Sequence, residues 1–158
     1  MSILYFQDAI GPYPSSESRF YEVKQGSVTY AAALTLSSLF SYRGVLGHLL
    51  TIDNDVEGAF VKHYASSYVF WLSIFRRTVG PFAYSSGPLT GSNLTYSNWY
   101  PGHPSNSSDQ CADLSTFSGQ WFDTACTTYL PYIIEYECAK GYVFNATGCT
   151  GSYFTWAA

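Results

Sequence analysis

Charge is scarce in this sequence. Of 158 residues only 11% are Asp, Glu, Lys or Arg, against about 25% in ordinary globular chains. The 7 Lys and Arg stand singly apart from Arg76-Arg77, and the formal net charge is -4, so the chain has no basic face for a phosphate backbone and no nucleic-acid partner is expected. Long apolar runs are also missing. The longest lies around residues 68–75 and is broken by Ser73, far short of the roughly 20 residues that cross a bilayer, so no membrane insertion is expected. The opening MSILYFQDAIGP lacks both a basic start and a long apolar middle, and therefore does not read as a secretory leader.

Aromatic residues, by contrast, are plentiful, with 15 Tyr, 11 Phe and 4 Trp making up 19% of the chain. A chain of this length buries roughly 70% of its unfolded surface, which suits one domain with a real core rather than two. Cysteine is confined to the last third, at Cys111, Cys126, Cys138 and Cys149. Four cysteines allow three pairings, and none has the Cys-x-x-Cys spacing of zinc knuckles or redox pairs, so disulfides are the better reading. A bridge from Cys111 to Cys126 would be worth about 3 kcal/mol by chain entropy. Acceptor sequons for N-glycosylation stand at Asn93, Asn106 and Asn145, all in Gly/Ser/Pro/Asn-rich stretches. Even cysteine usage, sequons and low charge together point to an extracellular or cell-surface glycoprotein.

Local patterns give an α+β chain. Residues 20–23 (FYEV) read as a strand, with the N-terminal segment pairing nearby. A first helix is expected over TYAAALTLSSLF, with Thr29 as cap and Ala32, Leu36, Leu39 and Phe40 as its apolar face. Residues 49–52 form a short strand. A second helix starts at Asn54, with Glu57 three residues on and Val56, Phe60 and Tyr64 at helical spacing. His63 on that helix reads as an ordinary surface or core-edge histidine, having no second ligand one turn away. Residues 68–72 (YVFWL) predict a strand buried on both faces, followed by short strands and loops until residues 132–137 (YIIEYE) resume strand character.

Several stretches, in order and with compatible gaps, resemble the C-type lectin-like domain: GHLLTIDNDVEGAFV, FWLSI, YSNWYPGHPSNSSDQC, QWFDTAC and YIIEYEC, spanning roughly residues 20–138. The resemblance implies two helices packed on small antiparallel sheets with a long loop region. Residues 1–19 would be an N-terminal extension with a strand. Residues 139–158 would be a C-terminal appendage, with CAKGYVFNATGC resembling the opening of a cysteine-rich extracellular repeat. In the family a first-helix cysteine bridges to the position of Cys138; here Ala or Ser stands in its place. The resemblance therefore implies the pairs Cys111–Cys126 and Cys138–Cys149.

Sugar-binding members of the family hold calcium with a Glu-Pro-Asn loop, an acidic residue before a cysteine, and a Trp-Asn-Asp strand. The matching residues here are His103-Pro104-Ser105, Asp109 and Trp121-Phe122-Asp123. Pro104 matches the family's cis proline. Only the carboxylates of Asp109 and Asp123 survive as vestigial calcium ligands, which would leave weak calcium binding at most, and no resident cofactor is expected. His103 brings a nitrogen donor better suited to zinc or copper, so His103 with Asp109 and Asp123 is also a conceivable transition-metal set. Trp99 and Trp121 read as core tryptophans. Tyr100, Phe117 and Phe122 flank the loop and offer aromatic faces to a sugar or a protein, although packing of the loop onto its own domain explains them equally well. A glycan on Asn106 would obstruct a shallow sugar pocket.

Catalysis is poorly supported. His103, Ser105 and Asp109 share one loop without a nucleophile elbow or oxyanion hole. Glu135 and Glu137 alternate with apolar neighbours, as on a solvated strand face. The expected function is thus a non-enzymatic extracellular recognition, adhesion or assembly module, binding a protein or glycan ligand at the cell surface without calcium. Tyr100, His103, Ser105, Asp109, Phe122 and Asp123 are its candidate ligand residues. The alternatives are a lectin with a weak calcium site, and a self-assembling subunit of a surface fibre or matrix that uses the aromatic termini around Tyr5-Phe6 and Tyr153, Phe154 and Trp156.

Overall fold

The computed structural model describes residues 5–6, 19–65, 68–78, 80–105, 108–139, 142–145 and 147–151. Asn106 and the terminal aromatics Tyr153, Phe154 and Trp156 lie outside the described residues. The elements run β1 (Tyr5–Phe6), β2 (Arg19–Val28), α1 (Tyr30–Ser37), β3 (Ser41–Tyr42), β4 (Val45–Leu46), β5 (His48–Leu49), α2 (Asp55–Tyr64), β6 (Val69–Phe75), β7 (Ala83–Tyr84), β8 (Cys111–Ser115), β9 (Gln120–Thr124), β10 (Leu130–Glu137), β11 (Tyr142–Asn145) and β12 (Gly148–Gly151). β1 pairs with β2, as expected of the N-terminal segment.

The first sheet has the order β1-β2-β10-β5 and the second β7-β6-β8-β9, all antiparallel. They are joined through Leu50, whose N–H donates to Ile133 O at 3.0 Å while its carbonyl accepts from Ser73 N at 2.7 Å. Around that junction lies the core: Leu50, Phe70, Leu72, Ile74, Leu114, Trp121 and Ile133 on one side, and Tyr30, Leu49, Trp71 and Ile134 on the other. β6 is buried from Phe70 to Ile74, as its apolar run predicts, so these residues drive collapse from both faces, whereas Tyr68 and Val69, also expected to be buried, are exposed. Trp121 is fully buried with Trp99 packed edge-on against it, which makes both core tryptophans.

The apolar face predicted for α1 is out of phase. Its buried residues are Tyr30, Ala33 and Ser37, whereas Leu39 and Phe40 lie beyond the helix end and are exposed. Two contacts set the face: Tyr30 Oη donates to Ile74 O at 3.0 Å, and at the other end a Cβ on Gly47 would sit 2.5 Å from the Ile134 side chain and 2.9 Å from Ser37 O, so the crossing there is close. Thr29 occupies the cap position without a side-chain cap bond, and the first turn is instead anchored by Tyr30 N–H donating to Cys126 O at 3.2 Å.

In α2 the cap is as predicted, with Asn54 Oδ1 accepting from Glu57 N at 2.8 Å. Its buried residues, however, are Glu57 and Val61, while Val56 is exposed and Phe60 and Tyr64 are half-buried. Glu57 is drawn inward because its carboxylate accepts from Asp53 N and Tyr21 Oη and forms an ion pair with the Arg19 guanidinium. The disulfides are Cys111–Cys126 and Cys138–Cys149, the pairing that the resemblance implied.

Candidate functional site

The long loop leaves β7, returns at β8, and is laid against β9 by backbone bonds, with Trp121 N donating to Asn98 O at 2.9 Å and Tyr100 N to Trp121 O at 3.0 Å. A tight turn follows, in which His103 N donates to Tyr100 O at 2.8 Å, and the His103–Pro104 peptide is cis. These constraints bring His103 and Ser105 over the end of β9, where Asp123 points inward beside Trp121.

Asp123 is the centre of the site. Its side chain is fully buried, and its two oxygens accept from four donors of the chain itself: His103 Nδ1 at 2.5 Å, Ser105 N at 3.0 Å, Ser105 Oγ at 2.8 Å and Arg76 Nη2 at 3.1 Å. A buried carboxylate needs such partners to stay ionised. Arg76 follows β6 directly and is held by Arg76 N donating to Gln110 O at 2.9 Å. Its guanidinium also donates from Nε to the Asp109 carbonyl at 2.8 Å and from Nη2 to the Ser105 carbonyl at 3.0 Å, and lies over the Phe82 ring at 4.9 Å. A side-chain cation thus sits among a carboxylate and two backbone carbonyls, the donor set that a hard metal ion would seek.

Sequence reasoning missed Arg76, which appeared only as half of a basic dipeptide. The usable signal was a basic residue closing an apolar strand in a chain whose loop had lost two oxygen ligands. Asp109 enters the site through its carbonyl. His103, Asp109 and Asp123 do not form one of the converging metal-ligand groups found among the described residues.

Outside this polar centre lies an aromatic surface. Tyr100 and Phe122 stack at 5.0 Å between ring centroids, and His103 stands edge-on to Phe122 at 5.0 Å. Tyr100 remains 45% exposed. Phe117, expected beside them, lies in the β8–β9 turn and is 82% exposed. Under Phe122, Asp113 accepts from Thr124 Oγ1, and its carboxyl is pushed up to about 6 by burial, with Asp123 adding to the rise while Thr124 and His103 oppose it. Of the sequons, Asn93 is exposed where it bridges Ala83, and Asn145 ends β11.

Glu135 and Glu137 are a correction. They share a strand face, but Glu135 is completely buried and the Glu137 side chain is only 8% exposed, because Arg19 and His48 cover them. Arg19 contacts Asp53, Glu57, Glu135 and Glu137 at 2.6–3.6 Å. Burial opposes its charge, but these carboxylates outweigh burial and hold the guanidinium protonated. Burial first, and then repulsion from Glu57 and Glu137, holds the Glu135 carboxyl well above the usual carboxylate range.

Comparison with known proteins agrees with this geometry. The low affinity immunoglobulin epsilon Fc receptor of Mus musculus is 30% identical over 98 residues, covering 60% of this chain, and the match spans 28% of that receptor. Human lithostathine superposes with a TM-score of 0.65 at 19% identity, over 84% of this chain and 98% of that one. The mouse scavenger receptor C-type lectin carbohydrate-recognition domain gives 0.63 at 22% identity, over 82% and 100%. Both structural likenesses establish the fold. The family model described as the lectin C-type domain matches residues 43–136, more than half of the sequence, and the chain belongs to the C-type lectin domain family.

Proposed function

We propose that the chain is a non-enzymatic, extracellular recognition module whose ligand face is the Tyr100–His103–Phe122 surface, and that it engages protein or glycan without calcium. The module comprises residues 20–138, flanked by the extension and the appendage. The observation that carries this reading is the occupancy of Asp123: four chain donors fill its oxygens, and the Arg76 guanidinium lies where its carboxylate meets the loop carbonyls. A calcium ion entering there would have to displace a buried cation and break these bonds together. The Asp123 carboxylate that accepts the Ser105 hydroxyl proton also accepts from His103, Ser105 N and Arg76, which leaves it a weak general base for activating that serine. What remains for a ligand is the stacked pair, whose ring faces suit sugar C–H groups or an apolar protein side chain. Two disulfides and the exposed Asn93 sequon support an extracellular setting.

The test combines calcium calorimetry with binding to immobilised glycans, in excess calcium and in EDTA. The expected result is no calcium heat up to about 1 mM, binding indifferent to EDTA, and roughly tenfold weaker binding by Tyr100→Ala and Phe122→Ala. Saturable calcium binding that Asp123→Ala abolishes, with glycan capture lost in EDTA, overturns the reading in favour of a calcium-dependent lectin.

A further inference from the structure

We propose that His48, Glu135 and Glu137 form a site for one zinc-class divalent cation at the β5–β10 edge of the first sheet, separate from the Tyr100–His103–Phe122 surface. β5 and β10 place His48 directly opposite Glu135, with Glu137 two residues further along the same strand face. One ligand atom from each of the three lies within 4.8 Å of the other two. A cluster of charges alone would not make a site; the orientation of the individual atoms does.

Each of the three side chains has one atom anchored by a neighbour, and His48 Nδ1 stands 3.9 Å from Glu135 Oε2. His48 Nδ1 is 3.0 Å from the Leu49 carbonyl, which can only accept, so Nδ1 carries the proton. Its Nε2 is buried, makes no hydrogen bond, and stands 3.2 Å from Glu137 Oε1. Glu135 Oε2 accepts from both Thr51 N and Thr51 Oγ1 at 2.9 Å, whereas the buried Oε1 receives no hydrogen bond and has Arg19 Nε 3.6 Å away. Glu137 Oε2 is 3.1 Å from Arg19 Nε, leaving Oε1 toward the histidine. An imidazole nitrogen and a carboxylate oxygen thus stand 3.2 Å apart with no hydrogen bond between them, a spacing that two ligands of one small cation span.

Anchoring of the outer atoms is what metal sites require, since a ligating histidine donates its second N–H to a carbonyl and ligating carboxylates are themselves hydrogen-bonded. The ring is also clamped from above. Gly87, at φ +75°, passes so close that a Cβ would lie 2.7–3.0 Å from three ring atoms of His48. One imidazole nitrogen with two carboxylate oxygens is a zinc-class donor set rather than a calcium one, and His48 and Glu137 lie at the rim with 10% and 8% exposure. Bonds of about 2.1 Å require the three atoms to draw together. The electrostatics favour this, because among the described residues four carboxylates gather around Arg19.

The test uses the untagged, EDTA-stripped full chain, titrated with zinc chloride by calorimetry and with cobalt(II) by visible absorption. One zinc per chain is expected, with a tetrahedral cobalt spectrum. Affinity should fall by roughly tenfold or more in His48→Gln and in Glu137→Gln, fall in Gly87→Ala, and stay unchanged in His63→Gln. Absence of zinc binding up to about 1 mM overturns the proposal. So does unchanged affinity in either ligand variant. Should His48→Gln not fold, Glu137→Gln, at the rim, decides the outcome by itself.

Discussion

The chain buries ionic groups in two places with opposite balance. At the long loop, Arg76 and His103 surround a single carboxylate, Asp123. At the first sheet, among the described residues, four carboxylates surround the Arg19 guanidinium, with His48 beside them. Desolvation penalises every one of these charges, so the comparison turns on how each cluster recovers the loss. The loop cluster does so with donors of its own chain, and its geometry is closed. The sheet cluster recovers only part, and burial drives the Glu57 and Glu135 carboxyls upward against Arg19's pull. A closed cluster fixes the shape of a loop, whereas an anion-rich one keeps an affinity for cations.

The largest effect should come from removing the guanidinium of the anion-rich cluster. Arg19→Met is expected to cost about 3–5 kcal/mol in urea unfolding near neutral pH, and less near pH 4, where the stranded carboxyls are protonated. Equal losses at the two pH values would contradict the charge imbalance. Asp123→Ala should cost about 3 kcal/mol by leaving the 5%-exposed Arg76 side chain without its carboxylate. Its effect should add to that of Arg19→Met if the clusters are independent, which a double-mutant cycle measures.

The smallest effect has the opposite sign. Asp113 is raised from 3.8 to about 6 in the fold, so its stabilising contribution is full below about pH 3.8 and lost as pH rises through about 6. Asp113→Asn should therefore raise stability near pH 8 by about 1–3 kcal/mol and flatten the pH profile between these values. A mutant whose profile still falls through this window would show that another group titrates there.

What was legible followed backbone periodicity and spacing. The apolar run of β6 and the Asn54 cap were read from residues close in sequence, and the disulfide pairs followed from the family resemblance. The misreadings arose where a distant segment decided the outcome. The buried face of α1 is set by the Tyr30 bond to Ile74 and the crossing at Gly47, and the burial of Glu57 and Glu135 by Arg19, 38 and 116 residues away in sequence. At the loop, Tyr100, His103, Ser105, Phe122 and Asp123 were named and do assemble, yet Arg76, which holds Asp123 and the Ser105 carbonyl, comes from the end of β6, far from them in sequence.

The register of β2 on β10 has a mechanical consequence. Arg19 pairs with Glu137 at the open end of the ladder, so the polypeptide enters and leaves the module at neighbouring points. Tension applied between these two residues pulls the antiparallel strands apart like a zipper, loading one hydrogen-bonded pair at a time instead of shearing all of them together. The first contact to bear that load is the Arg19–Glu137 ion pair at 3.1 Å. A force transmitted through the chain at these points would therefore open the anion-rich cluster first, while the long-loop surface, carried by the second sheet, kept its shape.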